Sequence, residues 1–208
     1  MSAIVTVLRS GGDFKVEHVE ALRDECRRYA SATKFICLSD RPSVPGYQPL
    51  ENEWPNWWSK IEAFKIPGPV VYMDLDTVAV GSLLSILKVP ETGGESFTVL
   101  RDFNPGQRQM GSGLMAWTGD MSALYQQFKT HPRFHMERNR SPRWWGDQGF
   151  IERATERRTY WQDKVPGQVV SWKKHCTESV PLEARVVCFH GLPRPWDTGI
   201  RQNAEVAA

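Results

Sequence analysis

The sequence predicts an α/β fold built as a single domain, and three observations predict it. Short β-rich apolar runs alternate with segments whose apolar residues recur at three- and four-residue steps. The first such alternation makes a β-α-β unit. The apolar run Val70-Val71-Tyr72-Met73 ends in two carboxylates, Asp74 and Asp76. A length of 208 residues with 40% hydrophobic and 24% charged content suits one domain with its own core rather than two. The formal net charge of +2 is close to balance, which gives no general pull toward nucleic acid or an anionic membrane. Any bound anion must therefore be met by local cations.

Ala3 to Leu8 is a short apolar strand, and Gly11-Gly12 breaks it. Val16, Val19, Leu22, Cys26 and Tyr29 then keep helical spacing, and Phe35 to Leu38 gives the next strand. Parallel strands joined this way need a right-handed crossover, which brings their C-terminal ends to one edge, where ligands of open α/β sheets bind. A proline-rich loop with Pro42, Pro45, Pro49 and Pro55 follows. Trp57 to Phe64 reads as a short helix, stopped by Pro67-Gly68-Pro69. Val70 to Met73 has the unbroken apolar character of a central strand covered on both faces. Further strands are expected at Phe97 to Leu100, Leu114 to Trp117 and Val186 to Phe189, with helices at Met121 to Lys129 and Gln148 to Thr155. The basic, aromatic stretch HPRFHMERNRSPRWW reads as a mobile, solvated lid that could touch an acceptor through Arg138, Arg140 and Arg143. The domain is expected to span 1–196, with 197–208 a flexible C-terminal tail.

The apolar start stops at Leu8 without the basic lead or the cleavage site of a signal peptide. No apolar run approaches the roughly 20 residues of a membrane-spanning helix. Cys26, Cys37, Cys176 and Cys188 lack a CxxC spacing and read as reduced core residues. The expectation is a cytoplasmic protein that does not span a membrane.

Carboxylates two apart in an extended chain point the same way, so Asp74 and Asp76 could share one hard cation, Mg²⁺ or Mn²⁺, through oxygen ligands. Buried apolar strands seldom end in two carboxylates without a counter-charge. Taken alone, each neighbouring residue has a plainer reading: Lys60 as a helix surface charge, His190 as a packed core histidine, Trp57 and Trp58 as residues covering the sheet.

VVYMDLDTVAVGSL resembles the metal-binding strand of the GT-A glycosyltransferases, in particular the glycogenin-like family 8 and related bacterial and phage enzymes. Four further segments agree in the right order. WWSKIEAF resembles the lysine-bearing helix before the DxD motif, which implies Lys60 as a donor-site cation. MGSGLMAW resembles the small-residue strand beside the donor sugar, implicating Ser112 and Gly113, and WWGDQGFI resembles the family's DQD segment. CFHGLPRPW resembles the closing His-Gly-Lys-Pro-Trp motif, which gives a histidine to the metal and a cation to the diphosphate. The likeness spans Ile4 to Trp196 and implies a single-domain, Rossmann-like mixed sheet flanked by helices.

By this resemblance the chain is a hexosyltransferase-type enzyme. It takes a nucleotide-sugar donor, a UDP-sugar, and an acceptor that is a glycan, lipid or protein, with no nucleic acid partner. Asp74, Asp76 and His190 are expected to hold Mn²⁺ or Mg²⁺. Arg9, Lys60, Asp74, Ser112, Gly113, Gly191 and Arg194 are expected to bind the donor, and Asp147 and Gln148 to face the reacting carbon. Ser10, with Arg9, ends the first strand, where the family contacts the nucleotide base. The chain departs from the pattern in three places. Cys188 stands where the family histidine usually does and His190 abuts Gly191, so either could face the metal, with imidazole the better partner for Mn²⁺. Arg194 replaces a lysine and can grip phosphate oxygens at two points. Gly149 replaces the last Asp of the DQD segment.

The resemblance favours retention of configuration, while Asp147 or Asp102 as base would allow inversion. Two other readings compete. A haloacid-dehalogenase-type, Mg²⁺-dependent phosphohydrolase would use Asp74 as nucleophile, but its later acid pair is poorly matched by Asp147 and Glu152. A non-catalytic nucleotide-sugar-binding protein could share the same scaffold.

Overall fold

The computed structural model of the chain describes residues 2–31, 33–92, 96–104 and 110–201. In chain order the elements are β1 (Ala3–Leu8), α1 (Val16–Tyr29), β2 (Phe35–Ser39), β3 (Tyr47–Pro49), a 3-10 helix (Asn56–Lys65), β4 (Val70–Met73) and β5 (Thr77–Ala79). Then come α2 (Leu84–Thr92), β6 (Phe97–Arg101), β7 (Met110–Trp117), α3 (Ser122–Thr130), α4 (Pro132–Arg138) and α5 (Gly146–Ala154). The remainder is β8 (Thr159–Tyr160), α6 (Trp161–Lys164), β9 (Val169–Ser171), α7 (Trp172–His175), β10 (Val186–Cys188) and a last 3-10 turn, Pro195–Asp197.

Among the described residues, seven strands form one sheet in the order β3-β2-β1-β4-β7-β6-β8. β1 runs parallel to β2 and to β4, so the expected β-α-β crossover is present and all three strands end on one edge. β7 lies antiparallel between β4 and β6, which makes the sheet mixed. β4 sits at the centre with all four residues buried. Alternate residues of β4 serve opposite faces. Val71 and Met73 join Leu22, Cys26, Ala116 and Trp161 in one core cluster. Val70 and Tyr72 join Ile61, Phe64, Trp117, Phe128 and Phe150 in the other. Both fully buried indoles have a partner for their N–H: Trp117 donates to the Ile66 carbonyl and Trp161 to that of Leu114.

A second sheet, ordered β5-β10-β9, stands beside this edge. It begins immediately after Asp76. β10 pairs antiparallel with β5 so that Cys188 lies opposite Thr77, and the Phe189 N–H donates to the Asp76 carbonyl at 3.2 Å. The residues following β10, far away in sequence, are thereby delivered to the DxD.

Several sequence expectations need correction. Asp74 and Asp76 do not sit in extended chain: β4 stops at Met73 and residues 74–77 form a turn closed by Thr77 N–H to Asp74 C=O at 2.9 Å. The short helix expected at Trp57 to Phe64 is present, as the 3-10 helix Asn56–Lys65. The supposed lid contains α4, followed by a tight turn with the bridge Arg140 to Trp145. The expected tail packs at its start, since Ile200 is buried and Arg201 pairs with Glu25 at 2.6 Å. Residues 202–208 lie outside the described residues. The four cysteines are free and buried, as expected. No helix among the described residues is long and apolar enough to cross a membrane.

Candidate active site

A cleft of about 870 Å³ opens along the sheet edge formed by the C-terminal ends of β1 and β4 and the N-terminal end of β7, a size suited to a ligand with several groups. Its lining includes Arg9, Lys60, Asp74, Asp76, Ser112, Gly113, Asp147, Gln148, His190, Gly191 and Arg194. The residues expected to bind the donor or the metal, or to face the reacting carbon, therefore all line one cavity.

The floor is organised by Lys60. Its side chain is buried, with the residue only 6% exposed, because the 3-10 helix lies flat on the sheet with seven consecutive residues, Trp58 to Phe64, buried. Lys60 Nζ donates to Asp74 Oδ2 at 2.9 Å, Asp147 Oδ2 at 3.0 Å and Ser112 Oγ at 3.0 Å. The Ser112 hydroxyl in turn donates to Asp147 Oδ2 at 2.6 Å. One ammonium thus ties the 3-10 helix to the end of β4, the start of β7 and the start of α5. Burial works against the Lys60 charge, but the Asp147 and Asp74 carboxylates outweigh it and hold the ammonium above the usual lysine range.

Tyr72 was missed in the sequence. It lies two residues before Asp74, and its hydroxyl donates to Asp74 Oδ1 at 2.7 Å. Burial first, then Asp74, pushes the phenol well above its ordinary range, so it stays a donor. The Asp74 N–H donates to the Gly113 carbonyl at 2.9 Å. A Cβ on Gly113 would stand 3.5 Å from Asp74 Oδ2, on the cleft side.

Asp76 has a different environment. Burial, then the neighbouring Asp74 charge, pushes its carboxyl up to about 7, against the pull of Arg194 and Lys60. Arg194 Nη1 lies 2.5 Å from Asp76 Oδ2, while Nη2 reaches Asp13 at 3.4 Å and the guanidinium stands over the Phe14 ring at 5.0 Å. Asp13 and Phe14 carried no motif and were not found from sequence. His190 Nε2 is 2.7 Å from Ser171 Oγ, its ring stacks on Phe103, and its carbonyl accepts from Lys173. Gly191 has φ +81, a left-handed conformation that favours glycine where the chain turns back into the cleft. Burial, followed by Asp76 and Asp74, pushes the Cys188 thiol far up and keeps it protonated, which makes it the poorer ligand beside His190.

Two carboxylates, one of them buried and short of positive charge, suit a hard divalent cation. The third expected ligand is not drawn in. Among the described residues no group of three His, Cys, Asp or Glu side chains converges as a metal site, because His190 is engaged by Ser171 and Asp76 by Arg194.

At the far end of β1, Ser10 donates its N–H to Asp40 Oδ1 at 3.0 Å and its hydroxyl to Oδ2, and Arg9 lies 3.9 Å from the same carboxylate. Burial tends to raise Asp40, but these contacts hold it below the usual range. Arg143, one of the arginines expected at an acceptor, is engaged within its own turn. Its guanidinium grips Glu152 at 3.0 and 2.7 Å and covers Trp144, so it braces the turn. Trp58 covers the sheet, as one reading had it, whereas Trp57 is 45% exposed on the cleft.

No family model and no curated protein matches the chain at a significant level. Solved structures do. The glycosyltransferase GlyE of Streptococcus pneumoniae TIGR4 superposes with TM-score 0.67 at 14% identity over 99% of this chain. The galactosyltransferase LgtC, in complex with donor and acceptor sugar analogs, gives 0.61 at 12% identity, covering 99% of this chain and 95% of its own. The bifunctional glycosyltransferase WbbM gives 0.60 at 13% identity over 94% of this chain and 46% of its own. The chain spans 59% of the length of GlyE. At these identities the likeness establishes the fold, which is the GT-A fold of these glycosyltransferases.

Proposed function

We propose that this chain is a metal-dependent glycosyltransferase that moves a sugar from a nucleotide-sugar donor, a UDP-sugar in our reading, to an acceptor hydroxyl with retention of configuration. One observation carries the reading: a single buried lysine, Lys60, holds Asp74 and Asp147 together at the C-terminal edge of a GT-A sheet. Burying three charges costs far more than a hydrophobic substitute, so such a cluster favours a site with a task over a purely structural device.

A departing nucleoside diphosphate needs positive charge on its β-phosphate as the glycosidic bond stretches. Arg194, which presents a two-point fork, is suited to exchange Asp76 and Asp13 for phosphate oxygens when the donor arrives. A divalent cation, Mn²⁺ or Mg²⁺, held by Asp74, Asp76 and His190, would supply Lewis-acid stabilisation of the same leaving group. Lys60 orients Asp74 and Asp147, and Ser112 with Gly113 forms the wall suited to the donor sugar. Arg9 and Ser10 stand where the base would lie.

Gln148 lines the cleft beside Asp147 and is no base. Its amide carbonyl suits shielding of an oxocarbenium-like centre. Asp147 Oδ2 already accepts from Lys60 and Ser112, which fits a positioning role better than proton abstraction. Both points favour retention. A phosphohydrolase would need a free nucleophilic oxygen on Asp74, whereas both its oxygens accept hydrogen bonds here, from Tyr72 and Lys60.

The test is incubation of the purified chain with Mn²⁺ and a panel of nucleotide sugars, measuring released nucleoside diphosphate for wild type and Asp76→Asn. Metal-dependent release from one donor, lost in the variant, is the expected result. No release from any donor, with orthophosphate freed from phosphate esters, overturns it.

A further inference from the structure

The mouth of the cleft carries a feature that the donor chemistry does not use. Trp57 and Trp145 are 45% and 47% exposed, both line the cleft, and their rings lie 6.4 Å apart at an interplanar angle of 43°. Exposed indoles are costly unless something covers them. These two are held open by construction.

Trp144, the residue before Trp145, is clamped between the Arg143 guanidinium at 3.8 Å and that of Arg153 at 4.0 Å. The Arg140 to Trp145 bridge and the hydrogen bond from Gly146 N–H to Asn139 C=O at 2.9 Å close the turn. Gly149 allows the close approach: a Cβ there would meet the Trp144 carbonyl carbon at 2.7 Å. The Trp57 indole rests on Gly146, where φ is +61 and a Cβ would strike Trp57 Nε1 at 2.7 Å. Asn56, a non-glycine residue at φ 52, turns the chain so that Trp57 points out while Trp58 points in. Both indoles are therefore fixed in place, and Asp147 and Gln148 follow Trp145 after Gly146 in the chain.

We propose that Trp57 and Trp145 form the acceptor platform and that the acceptor is a carbohydrate, whose pyranose ring lays its C–H face on the indoles with its hydroxyl edge toward Gln148 and Asn56. This rests on the transferase reading. A flat, apolar corner rimmed by an amide and a carboxylate matches a sugar, which is apolar on its faces and polar at its edges. A nucleobase fits less well. The dyad leads into α5, which packs on β7, and β4 separates β7 from β1, where Arg9 and Ser10 lie.

The experiment is saturation-transfer NMR on wild type, Trp57→Ala and Trp145→Ala, using methyl glycosides of glucose, galactose, mannose and N-acetylglucosamine, and separately UDP. Because both side chains are half exposed, the variants keep the fold, which circular dichroism checks. Saturation of ring C–H protons of at least one glycoside, lost in both variants while UDP saturation persists, is expected. In turnover the acceptor KM then rises by about tenfold or more against a donor KM that moves far less, and Trp145→Phe restores most of it. Absence of glycoside saturation in wild type, its persistence in the variants, or loss of UDP saturation instead overturns the platform. Donor turnover in wild type is read in parallel, so a failed transferase and a failed platform give different results.

Discussion

Lys60→Met removes the ammonium while keeping most of the stem's volume, so packing loss is small and the charge effect stands out. In the wild type the side chains of Lys60, Asp147 and Asp74 are 7%, 9% and 26% exposed. Removing one partner of a buried ion pair costs about 3–5 kcal/mol because the remaining charge is left without compensation. Asp74 can regain some water and keeps the Tyr72 hydrogen bond, so the lower end, about 3 kcal/mol, applies. With a urea m-value of about 2–3 kcal/mol/M, the unfolding midpoint falls by about 1 M. The sign with pH follows from Lys60, whose charged form is favoured by folding. Its contribution is fully present below the ordinary lysine range and fades only as pH rises above it, so this term gives the wild type no pH dependence between about pH 5 and 9. In the variant the penalty comes from uncompensated negative charge, so acidification does not enlarge it. The double variant Lys60→Met/Asp147→Asn recovers about half the loss, since Ser112 can donate to the new amide oxygen. Urea titrations followed by tryptophan fluorescence measure all three. A midpoint shift below about 0.3 M, or a penalty that grows on acidification, refutes the idea that this cluster is a desolvated ion network.

Three further outcomes are expected. Mn²⁺ binding, followed by calorimetry, tightens as pH rises through about 7, because the buried Asp76 carboxyl must lose its proton first; Asp76→Asn abolishes the dependence, and a flat profile from about pH 6 to 8 excludes Asp76 as a ligand. Arg194→Ala moves two affinities in opposite directions. Mn²⁺ binds tighter to the free protein, since Asp76 loses its competing guanidinium, while donor binding weakens; parallel losses would mean that Arg194 only props up the site. Gly149→Ala forces a methyl into the Trp144 backbone, which costs about 1–3 kcal/mol and lowers Tm by roughly 2–4 °C per kcal/mol, read by differential scanning calorimetry.

Periodicity exposed the strands and helices that form the sheet's centre, because β4 and its neighbours bury whole faces and their sequence must show it. The edge strands β3 and β8, and β5 and β9 of the second sheet, were invisible, whereas its β10 was expected as Val186 to Phe189. The invisible strands run two or three residues, too short for a period, and pairings such as Cys188 with Thr77 exist only in three dimensions. For the site, motif order found Lys60, Asp74, Ser112, Asp147, His190 and Arg194, all of which line one cleft. What each touches was not legible. Lys60 looked like a surface helix charge because a 3-10 helix pressed flat on the sheet buries every side, which an α-helical reading does not anticipate. Tyr72 had a signal, two positions before Asp74 in a strand-like run, yet its aromatic ring reads as core. Trp57 and Trp145 could not be separated from Trp58 and Trp144 by composition; the left-handed turns at Asn56 and Gly146 decide which indole faces out.

The charges on the cleft floor explain why the site suits a cation as well as a diphosphate. Asp74 and Asp147 share Lys60, and Asp76 is in contact with Arg194, so the carboxylates outnumber the cations that touch them. The imbalance is felt at Asp76, whose carboxyl is pushed up to about 7 even with Arg194 beside it. An approaching diphosphate would deepen it and would also draw Arg194 away. Donor binding without added positive charge is thus opposed twice, once by repulsion from the carboxylates and once by stranding Asp76. In the proposed reading a divalent ion would remove both obstacles and free Arg194 for phosphate. This predicts an ordered dependence: the apparent donor Kd measured by calorimetry falls steeply with Mn²⁺ in wild type, and the slope flattens in Asp76→Asn. Equal donor affinity with and without metal in wild type would show that Lys60 and Arg194 alone meet the diphosphate.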